Sequence, residues 1–124
     1  MRLVSLAASN TEILHALGMA PHLVGVDTHS DYPSEALKGL PRLGPELEID
    51  TGAVAALRPD LVLASLSVPG QEHVVRALRE KKLPLLVLDP VCLAEILRDI
   101  QTIADRLEVS ERGRRGVGDI REAL

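Results

Sequence analysis

Residues 2–18, "RLVSLAASNTEILHALG", decide the fold class. An apolar burst at residues 3–6 passes through small and polar residues into a helical pattern over residues 10–17. Ser9 and Glu12 have the S-x-x-E spacing of a capping box, in which two free N–H groups at a helix start are satisfied reciprocally. Gly18 stands where a C′ glycine ends a helix. The stretch therefore reads as strand, short loop and helix.

Further apolar bursts occur at residues 23–26, 61–66 and 85–88. They are short, continuous and rich in Val and Leu, the pattern of strands buried on both faces in a parallel sheet. Helical patterns lie between them. Asp50 is placed to cap a short helix that runs through Leu57 and stops before "RPD" at residues 58–60. A second helix covers residues 71–82, with Val74, Val75 and Leu78 inward and His73 outward. Leu93, Ile96, Leu97, Ile100, Ile103 and Leu107 recur at three- and four-residue steps, the strongest helical signal in the chain. Strand–helix alternation predicts an α/β three-layer sandwich around a central parallel sheet of about four strands, a single Rossmann-like lobe with right-handed crossovers.

Two segments break the pattern. Residues 27–49 carry three prolines and two glycines with at most a turn of helix at 34–38, and read as a long functional loop. Residues 110–124, "SERGRRGVGDIREAL", contain Gly113, Gly116 and Gly118, each costing about 1 kcal/mol against Ala inside a helix. That end is expected to fray or to depend on a partner surface. The division is thus a lobe over residues 1–108 and a tail, or the start of a longer helix, over residues 109–124.

Composition removes several functions. The net charge of −4 gives no electrostatic footprint for nucleic acid, and Tyr32 as the one aromatic residue leaves no base-stacking platform. No apolar run is long enough to span a bilayer. Met1 and Arg2 lead straight into the first strand without a signal-peptide pattern, so either a cytoplasmic chain or an export signal outside this sequence is expected. Cys92 is the single cysteine and allows no intrachain disulfide. Cys92 is expected to be an inert residue rather than a reactive thiol.

Three readings of the loop after the first strand compete. Cradling a phosphate needs glycines, and "SLAASNTE" has none. A nucleophile at Ser5 or Ser9 needs a G-x-S-x-G elbow and a His–acid pair; the elbow is missing, and His15, His22, His29 and His73 show no spacing that marks a base. Lining a ligand cleft remains, because ligands of open parallel sheets bind at the carboxyl ends of the strands. No catalytic residue and no resident metal site is expected, and the chain reads as a non-enzyme.

"RLVSLAASNTEILHALG", "LVGVDTHSDYPSEA", "LPRLG", "LRPDLVLA" and "LPLLVLDPVCLAEIL" follow one another in a recognisable order and spacing over residues 2–108. Together they resemble the N-terminal lobe of helical-backbone periplasmic substrate-binding proteins, which serve cobalamin, ferric-siderophore and haem ABC importers. The resemblance implies two α/β lobes joined by one long helix, a small metal-chelate ligand (cobalamin, haem or ferric siderophore) held between them, and a periplasmic or cell-surface location. It also implies ligand contacts at Ala8, Ser9 and Asn10, at His29 before "SDYP", at Glu46, and at Ser65, Leu66 and Ser67. His29 is the residue expected to set specificity, since an imidazole can ligate cobalt or iron or hydrogen-bond a propionate or amide.

Three departures accompany the likeness. The glutamate that family members present to an ABC permease is replaced by Gly52, with Glu48 and Asp50 displaced from that position. The lobe has almost no aromatic surface for gripping a corrin or porphyrin face. The chain also reaches only to where the spanning helix of the family begins, which gives a half-cleft. Either a second lobe completes it or two copies pair as a homodimer, each supplying one wall. The alternative function is a half-length α/β dimerisation module without a small-molecule ligand.

Overall fold

The computed structural model describes residues 1–31, 34–45, 47–66, 69–89 and 93–123. Four parallel strands form one sheet: β1 (Leu3–Ser5), β2 (Leu23–Val26), β3 (Leu61–Ser65) and β4 (Leu85–Leu88), in the order β2-β1-β3-β4. Leu3 pairs with Leu23 on one side and Leu61 on the other, and Val62 pairs with Leu85. The expected α/β architecture is present. β1 and β3 are buried throughout, whereas residues 85–87 of β4 are half-buried despite an equally apolar sequence. β4 is an edge strand, and position in the sheet rather than composition sets its exposure.

Alternation along the strands makes two cores. Leu3, Leu61, Leu63 and Leu88 face α1 (Ala8–Ala16) and α5 (Leu93–Arg106), meeting Leu14, Leu17, Leu97, Ile100 and Ile103. Val4, Val62 and Ala64 face α3 (Thr51–Ala56) and α4 (Glu72–Glu80), meeting Val54, Val74, Val75 and Leu78. Among the described side chains, which do not include Leu93, the inner faces of α4 and α5 are those read from spacing, except that Ile96 is 40% exposed. The described part of the 27–49 segment contains one helical turn, α2 (Ser34–Leu37), and is anchored by Leu37 and Leu43, both buried.

Helix ends follow their sequence signals in two cases of three. Gly18 adopts φ +75° just past α1; its N–H bonds His15 O (2.9 Å), and Met19 N–H bonds Leu14 O (2.8 Å), closing a Schellman motif. Asp50 caps α3, its carboxylate accepting from Ala53 N–H at 3.0 Å. Asp50→Ala is expected to lower stability by about 1 kcal/mol, read as a shifted urea midpoint at unchanged slope. The capping box at Ser9 does not form. Ala7 is the N-cap, extended at φ −150° and ψ 140°, and no side chain caps the helix. β1 turns directly into α1, so Ser9 already has helical backbone, and a cap oxygen must come from the extended residue before it.

The C-terminal segment differs more. It forms a continuous helix, α6 (Ser110–Ala123), lying along α5. Its glycines do not break it, because packing replaces the lost propensity. A Cβ on Gly113 would stand 2.5 Å from Ala104 Cβ, so the missing side chain is what lets the two helices approach. Gln101 adds a bond from Nε2 to Ser110 O at 3.1 Å, and Arg112 Nη1 donates to Leu17 O at 3.1 Å, tying α6 to the end of α1.

Candidate functional site

The strand order creates the site. From β1 the chain crosses to β2 on one side, and later continues through β3 and β4 on the other. The connections after β1 and β3 therefore part at the carboxyl edge, where open α/β sheets bind ligands. Asn10 Nδ2 donates to Ala64 O at 3.4 Å across this gap and is only 3% exposed. Asn10 closes the floor between the two strands.

Other residues at the edge divide by exposure. Ser9, in the first turn of α1, is exposed, and Ala8 beside it is half-buried. His29, on the connection after β2, is exposed. Ser65 is buried at 8% exposure, and Leu66 is half-buried, lining a small hollow with Glu72, Val75, Arg76, Arg79 and Glu80. Glu46, Ser67 and Cys92 lie outside the described residues. Ser9 and His29 are thus the polar candidates with side chains open to solvent, while Asn10 and Ser65 support from within.

A buried polar chain lies beneath the edge, and residue spacing alone does not show it. Ser5, Thr11, Asp27 and Ser30 are each at most 1% exposed. Ser30 Oγ donates to Asp27 Oδ1 at 2.5 Å, and His29 N–H donates to Asp27 Oδ2 at 3.1 Å. Thr11 Oγ1 lies 2.8 Å from both Ser5 Oγ and Ser30 Oγ, and Ser5 Oγ donates to Ala7 O at 3.1 Å. Each hydroxyl has one proton. With those of Ser5 and Ser30 committed outward, the Thr11 proton serves either Ser5 Oγ or Ser30 Oγ, and the other contact is a close approach of two oxygens with no proton between them. Arg42 closes the outer side, its guanidinium donating to Ser30 O and, at 3.4 Å, to Asp27 O. The signal was a polar D-x-x-S, Asp27 to Ser30, directly after an apolar strand, the pattern of a side chain bonding its own loop backbone.

A hollow of about 540 Å³ runs from this edge down the flank between α1 and α5, touching Ser9, Asn10, Ile13, Ile96, Asp99 and Ile100. Asp99 Oδ2 is buried there with no partner among the described residues. Burial, then the neighbouring Glu95, raise the Asp99 pKa above the ordinary carboxylate value against the pull of Arg98.

Ser5 Oγ donates to Ala7 O and Ser30 Oγ to the Asp27 carboxylate, both within the buried chain. No group of three or more His, Cys, Asp or Glu among the described residues is placed to hold a metal ion. His15 and His22 are exposed, and His73 is exposed with its Nε2 2.9 Å from Leu47 O. No helix among the described residues is long and apolar enough to cross a membrane.

Residues 3–124 match the family described as "Periplasmic binding protein". The vitamin B12-binding protein of Pectobacterium carotovorum is 31% identical over 123 residues, covering 99% of this chain and 44% of that protein. An uncharacterised ABC transporter substrate-binding lipoprotein of Bacillus subtilis, YvrC, is 33% identical over 106 residues, 84% of this chain and 33% of that protein. Among solved structures, a periplasmic haem-binding protein from Pseudomonas aeruginosa superposes with a TM-score of 0.86 at 33% identity, over 98% of this chain and 43% of the other. The periplasmic vitamin B12-binding protein BtuF of Vibrio cholerae gives a TM-score of 0.85 at 30% identity, covering 98% and 46%. The chain spans less than half the length of these relatives.

Proposed function

Because this chain belongs to the periplasmic binding protein family, we propose that it forms one wall of a ligand cleft for a metal chelate of the cobalamin, haem or ferric-siderophore class, in ABC-type import. Family members are binding proteins rather than enzymes, and the geometry of the edge agrees with that role. The observation that carries the reading is that Ser9 and His29 are both exposed on the connections that follow the adjacent strands β1 and β2. An imidazole there can take an axial position on iron or cobalt, or donate to a propionate or amide. The start of α1 has no side-chain cap, and helix N-termini favour anionic groups such as a propionate or phosphate.

The protein is proposed to act at the periplasmic or cell-surface side, as its relatives' names describe for them. Docking to a permease is proposed to involve a surface other than the start of α3. Gly52 is exposed there without a side chain, and Asp50 is spent on capping. The ligand-free dimerisation alternative draws no support from relatives named for the ligands they bind.

Visible-absorbance titration with hydroxocobalamin, hemin and a ferric hydroxamate tests the proposal. A saturable spectral change with at least one of them at up to about 100 µM is expected, a range suited to a single open wall. His29→Ala should weaken that binding about tenfold or more while the melting temperature barely moves, because exposed substitutions are usually worth less than about 0.5 kcal/mol. Silence with all three chelates, or undiminished affinity in His29→Ala, would count against this wall.

A further inference from the structure

We infer that Thr11 and Ser30 are positioning residues, whose cross-bond makes the connection after β1 and the connection after β2 a single rigid wall before any ligand arrives. The inference rests on the cleft reading above but adds a property it does not require, since a cleft can equally be assembled by its ligand.

Three elements converge on the loop that carries His29. From β1, Ser5 O accepts the Asp27 N–H at 3.0 Å. From α1, Thr11 Oγ1 lies 2.8 Å from Ser30 Oγ; with the Ser30 proton on Asp27, this cross-bond takes the Thr11 proton, which is then not given to Ser5. From the segment after α2, Gly44 O accepts the Thr28 N–H at 2.9 Å, Val26 O accepts the Leu43 N–H at 2.8 Å, and Arg42 reaches Ser30 O. Gly44 is held at φ +108°, and a Cβ there would sit 2.7 Å from Glu48 O, so this support is itself closely fitted. Thr11 lies two positions from Ser9 and Ser30 lies next to His29. This side-chain bond between their helix and loop therefore links the two solvent-open candidates.

The cross-bond is fully buried: Thr11 is 0% and Ser30 1% exposed. Water cannot replace a lost partner cheaply at such a site, so a hydroxyl chain there holds geometry as well as contributing stability. A wall ordered in advance spares the ligand the entropy of ordering it, which appears as affinity. Ser30 also fixes the Asp27 carboxyl, which in turn accepts the His29 N–H, so its influence on His29 passes through one intermediate group.

Amide hydrogen exchange of the ligand-free chain, compared with Ser30→Ala, Thr11→Val and Thr11→Ser, tests the inference. Slow exchange at residues 28–30 is expected in the parent. In Ser30→Ala and Thr11→Val it should rise about tenfold or more relative to β3 amides, and Thr11→Ser, which keeps the hydroxyl, should restore it. Binding of hemin or hydroxocobalamin should weaken in the same two variants, chiefly through a slower on-rate, with recovery in Thr11→Ser. Uniform acceleration at all amides, or unchanged exchange at residues 28–30, would overturn the inference, since either means that the bond only adds general stability. If the parent binds neither chelate, the functional reading fails, and the exchange comparison alone still decides whether the wall is tied.

Discussion

Asp27→Ala should cost about 3 kcal/mol of folding stability, because its carboxyl is the acceptor at the end of a buried row and nothing nearby can replace it. Asp27 is 0% exposed and accepts from both Ser30 Oγ and His29 N–H. Truncation strands the buried Ser30 hydroxyl and takes the acceptor from the part-buried His29 N–H, and an unsatisfied buried donor costs roughly 1–3 kcal/mol. The void left by the carboxyl adds to the loss. For a domain of this size that corresponds to a melting temperature lower by roughly 10 °C. Asp27→Asn isolates the components. Its carbonyl oxygen can still accept from Ser30, but its amide then faces the His29 N–H donor to donor, so about half the loss is expected. Thermal melts of both variants check the order parent, Asn, Ala; equal stability of all three would mean that the row contributes nothing.

The second large effect is expected at the α5–α6 contact. Gly113→Val should destabilise by about 2–3 kcal/mol, the range of an overpacked core. Its first added atom meets Ala104 Cβ at 2.5 Å, and Ala104 is 0% exposed, so neither helix has a free side-chain end to move aside. Gly116 provides the control on the same helix. Nothing lies within 4 Å of a Cβ built there, and Gly116→Ala should stabilise by about 0.5–1 kcal/mol through helix propensity alone. Chemical denaturation of the two variants should therefore shift midpoints in opposite directions. Destabilisation by both would mean that α6 requires backbone freedom rather than close approach.

The α5–α6 contact is not encoded by local propensity. Glycine propensity is a local quantity, and by it residues 110–124 read as an end prone to fray. The contact with Ala104 is made by a residue nine positions earlier on another helix, and its effect appears only when both axes are in place. Ser9 shows the same limit over a shorter range. S-x-x-E spacing permits a capping box, but which residue is the cap depends on where the strand's extended backbone ends, and here Ala7 ends it. By contrast Gly18 and Asp50 behave as their local signals say, because a left-handed C′ glycine and an Asp cap act on backbone within four residues of themselves.

At the site, the ordered motifs pointed to the carboxyl edge, and Ser9 and His29 are exposed there. They could not separate the solvent-open residues from Asn10, which has turned inward to Ala64, fifty-four residues away in the chain. Nor could they reveal the row from Ser5 to Asp27, whose members are ordinary polar residues until β1, α1 and the loop after β2 bring them together.

The amino-acid sequence by itself determined the parallel α/β layering, because short apolar runs alternating with helical stretches can bury their surface in few other ways. It determined too that Val74, Val75, Leu78, Ile100 and Ile103 face inward, since helical period places them on one side. Only the tertiary structure decided the strand order, the exposed edge at β4, the seating of α6 and the buried row under His29. Those depend on distances between residues far apart in the chain, and hydrogen bonds and steric contacts are set by distance in space, which spacing along the backbone does not encode.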